Sequence, residues 1–184
     1  KATNVGRLPT HCGVCNLREL CLPCGLPSKE AAAFGELIYT RKRVKRGDSL
    51  YHAGTPFDSI YAIRSGFFKR SVVLEDGRDQ VTGFHMAGEV LGLDGIGTNV
   101  HTADLIALED SEVCVIPYGR LEEISLQRQL HKVMSRELVR DQGVMMLLGT
   151  MRAEERLAAF LINLSQRFVA RGYSSNDFHL RMTR

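Results

Sequence analysis

The sequence predicts an α+β protein built around an antiparallel β-roll. Between residues 38 and 118, short β-prone segments alternate with Gly and Asp turn signals at the spacing of a roll or sandwich. Beyond Leu121 the apolar residues instead recur three, four or seven positions apart, which predicts helices. The segment before the roll mixes prolines and glycines with closely spaced cysteines, which predicts a loop rather than regular structure.

The cysteines predict a metal site in that first loop. Four of the five lie close together, and Cys114 stands alone much later; the four are Cys12, Cys15, Cys21 and Cys24. Thiolates are soft ligands for zinc or iron–sulfur clusters, and packing alone rarely crowds thiols into a polar segment. The odd number of cysteines and the lack of a secretory signal favour metal binding over disulfides. They also favour a cytoplasmic location. The longest strongly apolar run, residues 144–148, is far below the roughly 18 residues of a membrane span, so we expect a soluble protein with no membrane contact.

The roll itself is clearest in four strands, predicted over residues 59–63, 67–73, 80–85 and 112–116. Pro117 closes the last strand because proline cannot donate to a ladder. A short helix is predicted before the roll, with Ser28 as its N-cap. The basic run at residues 41–46 fits a solvated strand edge, where positive charge discourages aggregation, or a polyanion-binding surface; a net charge of +3 does not decide between them.

A long helix with a narrow apolar stripe is predicted after the roll. The stripe consists of Leu130, Met134, Leu138, Met145 and Leu148, and Asp141 interrupts it. Such a stripe on an otherwise polar helix is typical of a two-stranded seam and predicts a homodimer; alternatively, it packs on the roll. A second helix is predicted over residues 153–170, ending before Gly172 in the left-handed conformation. Its apolar face comprises Leu157, Phe160, Leu161, Leu164 and Phe168.

Several motifs now give the chain a family resemblance. They are residues 11–21 (HCGVCNLRELC), 61–66 (YAIRSG), 82–85 (TGFH) and 153–160 (AEERLAAF) before 163–165 (NLS). With these motifs, nearly the whole chain resembles the fumarate and nitrate reductase regulators, the oxygen-sensing branch of the cyclic AMP receptor protein superfamily. The resemblance implies a jelly roll like that of cyclic-nucleotide-binding domains. It also implies four regions: a cysteine-rich iron–sulfur loop (1–28), a β-roll sensor domain (29–120), a dimerisation helix (121–149) and the first part of a truncated winged-helix DNA-binding domain (150–184).

The resemblance also implies a [4Fe–4S] cluster. Its ligands would be Cys12, Cys15, Cys21 and Cys114, with Cys24 left over. Such a cluster needs four thiolates, and the three local ones cannot complete it alone. The alternative is a zinc knuckle of Cys12, Cys15, Cys21 and Cys24, although its central interval is tighter than the roughly 15 residues usual for zinc. Cys114 would then be a small buried apolar residue, and the protein a zinc-stabilised binding module of the same fold without redox sensing. Asn16 and Leu20 adjoin ligands, and we expect them to control oxygen access.

The implied function is a global transcription regulator and activator that responds to O2. The cluster would promote dimerisation and DNA binding without oxygen, and O2 would degrade it to [2Fe–2S]. We expect Asp141 to oppose its symmetry mate across the seam, because partly desolvated like charges repel, which keeps the dimer marginal. Alternatively, Asp141 reaches solvent or pairs with the partner's Arg140.

Other ligands and activities of this superfamily are not expected. Gly88-Glu89 matches the start of a cyclic-nucleotide site, but His101 stands where such receptors carry the phosphate-binding arginine. We therefore expect no cyclic nucleotide to bind, and Gly88-Glu89 to form only a turn. No arrangement of Ser, His, Asp or Cys typical of hydrolysis is present, so an enzyme is not expected.

The remaining expectations concern DNA and RNA polymerase. The family's recognition helix would follow Arg184, so binding to palindromic DNA is implied only for the intact protein. Ser65 and the hairpin with Asp76-Gly77 lie where relatives contact RNA polymerase; the alternative is an ordinary solvated turn.

Compared with the family, a short stretch is missing between Ser125 and Leu126, which leaves seam positions before Leu130 unassigned. Since Lys1 is not an initiator methionine, we expect the true N-terminus to be missing.

Overall fold

The computed structural model describes residues 5–6, 12–37, 40–122 and 127–180. These fall into two compact units, Lys1–Leu130 and His131–Arg184. The possible gap between Ser125 and Leu126 lies outside the described residues. None of the helices in the described ranges combines the length and apolarity needed to cross a bilayer.

The first unit contains two antiparallel sheets. One has the strand order β1-β2-β9-β4-β7 and the other β3-β8-β5-β6. The strands are β1 (Val5–Gly6), β2 (Thr40–Val44), β3 (Ser49–Tyr51), β4 (Ser59–Ser65), β5 (Phe67–Val73), β6 (Asp79–Met86), β7 (Val90–Leu91), β8 (Asp104–Ala107) and β9 (Ser111–Pro117). The four predicted strands are present, and β9 ends at Pro117 as expected. The predicted antiparallel β-roll is therefore confirmed.

The core lies between the sheets because both contribute one apolar face to it. Its buried members are Val44, Leu50, Tyr51, Tyr61, Ile63, Phe68, Leu91, Leu105, Ala107 and Val113. Side chains alternate along a strand, and on β9 Val113 and the partly buried Val115 pack in this core. Cys114 between them therefore points to the opposite face of its sheet.

Helices flank the roll in the chain. The first, α1 (Ser28–Leu37), starts at the predicted position, and α2 (Tyr118–Glu122) follows β9 directly. Residues 41–44 of the basic run belong to β2, which lies between β1 and β9 and is therefore not a sheet edge as predicted. Arg43, Lys45 and Arg46 are exposed, as a solvated run requires. Arg41 and Lys42 are partly buried there, and Lys42 Nζ donates to the Leu50 carbonyl at 3.1 Å.

Two helices dominate the rest of the chain. They are α3 (Gln127–Thr150) and α4 (Ala153–Val169). At the start of α4, the Glu155 carboxylate accepts a hydrogen bond from the Arg152 amide at 2.8 Å, which supports the helix N-terminus. Gly172 follows α4 with φ of 82°, the predicted left-handed residue. Of the apolar face predicted for α4, Leu164 is fully buried, whereas Leu157 and Leu161 are exposed.

Candidate metal centre

The cysteine-rich loop is a series of tight turns. A 3-10 helix spans Cys12–Val14, and the amides of Arg18 and Cys24 then donate to the carbonyls of Cys15 and Cys21 at 3.1 Å each. Each turn reverses the chain within a few residues, so cysteines at short spacings can converge on one side. The loop has its own buried residues, Leu22, Pro23 and Leu26, which fix it as a packed element.

Arg18 anchors the end of this loop to the start of α1. Its guanidinium donates to the carbonyl of Leu26 through Nη2 and to the hydroxyl of Ser28 through Nη1, the latter at 3.3 Å. The other end of the loop packs on the same helix, since a Cβ placed on Gly13 would lie 3.6 Å from the Ala32 Cβ. Both ends of the cysteine segment are thereby held by α1.

Leu20 anchors the middle of the loop to the roll. It meets the turn before β7, where Gly88 has φ of +88° and a Cβ added to this glycine would come within 2.8 Å of the Leu20 Cβ. Gly88 donates its amide hydrogen to the Ile63 carbonyl at 2.8 Å, which fixes the turn on β4. The turn expected at Gly88-Glu89 is thus present, and it is also the surface on which the loop rests.

Loop and sheet together enclose a cavity that collects four thiols. Its lining residues are Cys12, Cys15, Leu17, Arg18, Cys21, Pro23, Ala62, Ile63, Arg64 and Cys114. Ala62 of β4 lies opposite Cys114 in the ladder, and its small side chain leaves room above the sheet. None of the cysteines forms a disulfide. The three loop cysteines of the predicted ligand set and the distant Cys114 therefore face the same cavity.

Burial raises the pKa values of three of these thiols, and neighbouring thiols in the cavity add to the rise. Burial raises the pKa of Cys12 to about 12, and nearby Cys114 and Cys15 contribute to this rise because their thiolates would repel its own. Burial likewise raises the pKa of Cys21 to about 12, with Cys12, Cys114 and Cys15 adding to the effect. The pKa of Cys114 is also raised, chiefly by burial. Four thiolates here require a compensating positive charge, such as a metal supplies.

Cys24 lies apart from this group. It does not line the cavity, and its Sγ lies 3.8 Å from the Glu19 carboxylate. In the described ranges no three His, Cys, Asp or Glu side chains are close enough to bind one metal ion. The four thiols that line the cavity are donors of the kind that bind an iron–sulfur cluster or a zinc ion.

The two residues expected to control oxygen access differ in position. Asn16 is exposed, whereas Leu20 is half-buried against Gly88. Leu20 thus has a packing role that its place beside Cys21 in the sequence did not reveal. The effect of Asn16 on oxygen access stays a prediction.

An arginine–glutamate network beside Cys114 was missed by sequence reasoning. Glu112 lies two residues before Cys114 on β9, and its Oε1 is 3.4 Å from Arg41 Nη1 and 3.8 Å from Arg64 Nε. Both arginines lower the pKa of Cys12 and of Cys114, against the effect of burial. The only sequence signal was the basic run itself, which we interpreted as solvated or polyanion-binding.

The residues considered for a cyclic-nucleotide site have partners within the chain. His101 is only 3% exposed and stacks on Tyr51 with ring centroids 3.7 Å apart. Its Nδ1 is 3.6 Å from the Asp94 carboxylate, which also accepts a hydrogen bond from the Thr102 amide at 2.7 Å. Glu89 lies 3.6 Å from Nδ1 of the buried His85. Glu89 and His101 are thus each paired with a different side chain of the roll, and the absence of cyclic-nucleotide binding stays a prediction.

The predicted seam residues differ in exposure. Leu130 is buried within the single chain, Met134 and Asp141 are half-buried, and Leu138 is 63% exposed. Met145 and Leu148 belong to α3, but their side chains lie outside the described part. In the same helix Arg140 pairs with Glu137. Dimerisation through this stripe stays a prediction.

The hairpin between β5 and β6 is a tight, exposed turn. The Leu74 amide donates to the Arg78 carbonyl at 2.9 Å, and Arg78 pairs with Asp76 at 2.7 Å. Gly77 has φ of +83°. Ser65, at the end of β4, is also exposed. These residues are accessible to a partner, and their contact with RNA polymerase stays a prediction.

Comparison with known proteins agrees with this architecture. The family described as "Cyclic nucleotide-binding domain" matches residues 41–128. The transcriptional regulatory protein btr of Bordetella pertussis is 45% identical over 95% of this chain and 74% of its own length. The fumarate and nitrate reduction regulatory protein of Salmonella typhimurium is 42% identical over 97% of this chain and 74% of its own. The chain belongs to the CRP/FNR family, in its fumarate and nitrate reduction branch.

Solved structures agree with the family's fold. FixK2 from Bradyrhizobium japonicum superposes with a TM-score of 0.64 and 28% identity, covering 70% of this chain and 66% of that one. A cyclic nucleotide-binding domain from Methylobacillus flagellatus has a TM-score of 0.65 at 13% identity, and the match covers 81% of this chain and 92% of that one. At this identity the match shows the fold alone. CRP/FNR proteins are transcriptional regulators, which agrees with the expectation that this chain is not an enzyme.

Proposed function

We propose that this protein is an oxygen-responsive transcription regulator with a [4Fe–4S] cluster bound by Cys12, Cys15, Cys21 and Cys114. One observation carries the proposal: thiols from the N-terminal loop and from a central strand line a single cavity, and the fifth cysteine does not. A four-iron cluster, when bound, supplies an oxidisable centre that O2 can destroy.

The protein's own residues convert the state of that centre into a conformational signal. Cys114 is fixed on β9, in the middle of a sheet, whereas three of the four thiols are on a loop. Ligation therefore ties the loop to the sheet, and its binding free energy adds to the stability of that docked arrangement. Without metal the buried thiols return to the neutral form, because burial raises the pKa of Cys12 and Cys21. The contacts of Leu20 and Arg18 and the packing on α1 then remain to hold the loop.

The output is a change of dimerisation through α3. We propose that the exposed Leu138 packs against a second copy and that Asp141 keeps this association weak until the loop is docked. The Asp141→Ala protein should then be dimeric in air at concentrations where the unaltered protein is monomeric. Analytical ultracentrifugation distinguishes the two, with Glu137→Ala as a charge-removing control on the same helix. A monomeric Asp141→Ala protein in air would contradict the repulsion.

DNA and RNA polymerase are the partners we propose for the dimer. Btr is by name a transcriptional regulatory protein, the Salmonella protein is a fumarate and nitrate reduction regulatory protein, and Anr of Pseudomonas protegens, 45% identical, is a transcriptional activator. A two-fold dimer would bind palindromic DNA in the intact protein. Ser65, Asp76 and Gly77 are accessible for polymerase contact. Substitutions there should reduce transcription in a purified system without reducing DNA binding; equal loss of both would refute this role.

The cluster is tested by anaerobic reconstitution with iron and sulfide. We expect brown protein with about four irons and four sulfides per chain. Each of Cys12→Ser, Cys15→Ser, Cys21→Ser and Cys114→Ser should lose the cluster absorbance. Cys24→Ser, the matched control, should keep it. Loss in Cys24→Ser with retention in Cys114→Ser, or a colourless protein with one zinc, would instead support the zinc knuckle.

A further inference from the structure

We propose that Arg41 and Arg64, held over the thiol cavity by Glu112, are positioning residues that set the reduction potential of the cluster. This inference rests on the proposed function, since it concerns the environment of the same four thiolates. It assigns a role to charged residues of β2, β4 and β9 that otherwise have no part in sensing.

The ladder register places these residues on one face of the sheet. Arg41 of β2 lies directly opposite Cys114 of β9, and Arg43 lies opposite Glu112. On the other side of β9, Ala62 of β4 is opposite Cys114. Arg64 lies where the β4–β9 register shifts, between Ile63 and Ser65, and its side chain lines the cavity. Cys114 is therefore flanked by an arginine-bearing strand on each side.

Glu112 fixes the two guanidinium groups near the thiols. Its Oε1 is 3.4 Å from Arg41 and 3.8 Å from Arg64, so one oxygen lies between both cations. The Arg41, Glu112 and Arg64 side chains are 17%, 19% and 38% exposed, so solvent screens them only in part. Two cations and one anion leave a net positive charge beside the cavity, which suits a site that collects thiolates.

The effect of this charge on a bound cluster follows from its position. Arg41 lies opposite Cys114 in the ladder, and Arg64 lines the cavity that the four thiols share. A nearby cation stabilises the more negative of two redox states, so it raises the potential of a bound cluster. Removing a cation should lower that potential and make the cluster easier to oxidise. Removing the negative Glu112 should do the reverse.

Arg43 provides a matched control for this argument. It is on the same strand as Arg41 and approaches the same carboxylate, with Nε 4.0 Å from Oε2 of Glu112. Its side chain is 80% exposed, so water and salt screen its charge. Arg43→Gln therefore removes one formal charge from the same strand with little change at the cavity.

The experiment is an anaerobic redox titration of the reconstituted protein, followed by electron paramagnetic resonance of the one-electron-reduced cluster. Arg41→Gln and Arg64→Gln should each lower the midpoint potential by an amount equivalent to a three- to tenfold change in the redox equilibrium. A tenfold change corresponds to about 59 mV. Arg43→Gln should match the unaltered protein, and Arg41→Lys, which keeps the charge, should stay close to it. Glu112→Gln should shift the potential upward.

The opposite signs separate electrostatics from simple disruption, because a disturbed fold would not raise the potential in one variant and lower it in another. Potentials in Arg41→Gln and Arg64→Gln equal to that of Arg43→Gln would overturn the inference while leaving the cluster intact. A downward shift in Glu112→Gln would also overturn it. Failure of the unaltered protein to take up iron and sulfide would instead reject the proposed function itself.

Discussion

Replacing Gly88 by alanine should release the cysteine loop from the roll. Gly88 has φ of +88°, and an added Cβ would lie 2.8 Å from the Leu20 Cβ. The left-handed conformation costs an alanine about 1–2 kcal/mol. Crowding against a packed side chain adds about 1–3 kcal/mol. The two effects together predict a loss of about 2–5 kcal/mol in the free energy of unfolding.

Gly54→Ala isolates the backbone part of this loss. Gly54 has φ of +80°, and nothing lies within 4 Å of the position its Cβ would take. Gly54→Ala should therefore lose only the left-handed contribution. The difference between the two variants is the cost of crowding Leu20, and urea unfolding of the metal-free protein at one fixed concentration measures both.

A double-mutant cycle with Leu20→Gly decides whether Leu20 is the group that Gly88 accommodates. Leu20→Gly removes the Cβ that the new methyl group would meet at 2.8 Å, so Gly88→Ala should be less destabilising in the Leu20→Gly background by about 1–3 kcal/mol. Gly88→Ala should also speed cluster loss in air, because the loop is held less firmly. Equal losses in both backgrounds, or a loss no larger than that of Gly54→Ala, would refute the proposed contact.

Three further predictions follow from the same contacts. Arg18→Ala removes the donors to Leu26 and should destabilise the docked loop by about 1–3 kcal/mol, seen as faster hydrogen exchange of residues 12–27 with the roll unchanged. His101→Ala empties a fully packed site and should lower the unfolding free energy by about 2–4 kcal/mol, without creating calorimetrically detectable cyclic AMP binding. Burial raises the pKa of Cys12 from 9.0 to about 12, so the folded state keeps a proton that the unfolded state releases. The metal-free protein should therefore lose about 1.4 kcal/mol per pH unit between pH 9 and about pH 12 from this group in urea unfolding, and Cys12→Ser should remove this contribution.

Local patterns in the sequence were sufficient for the roll and the helices. The segments of β4, β5, β6 and β9 are long enough for their composition and turn signals to identify them. Strands β3 and β7 have only three and two residues, too few for alternation to show. β2 was misread because its charges suggested solvent, whereas Arg41 pairs with Glu112 across the ladder.

The ligand set could be predicted only by resemblance, and its surroundings could not be predicted at all. Spacing brought three cysteines together, but Cys114 alone looked like an ordinary buried residue. The contacts of Leu20 with Gly88 and of Arg64 with Glu112 join segments far apart in sequence. No periodicity encodes such pairings, because they depend on how the folded strands and loops meet.

The division of the thiols between a loop and a central strand limits how the sensing centre could be transplanted. A peptide of residues 12–27 would carry neither the fourth sulfur nor the glycine turn that receives Leu20. A protein engineer grafting oxygen sensitivity onto another scaffold would therefore have to copy a strand, a turn and a helix in register, and the short cysteine motif would not suffice.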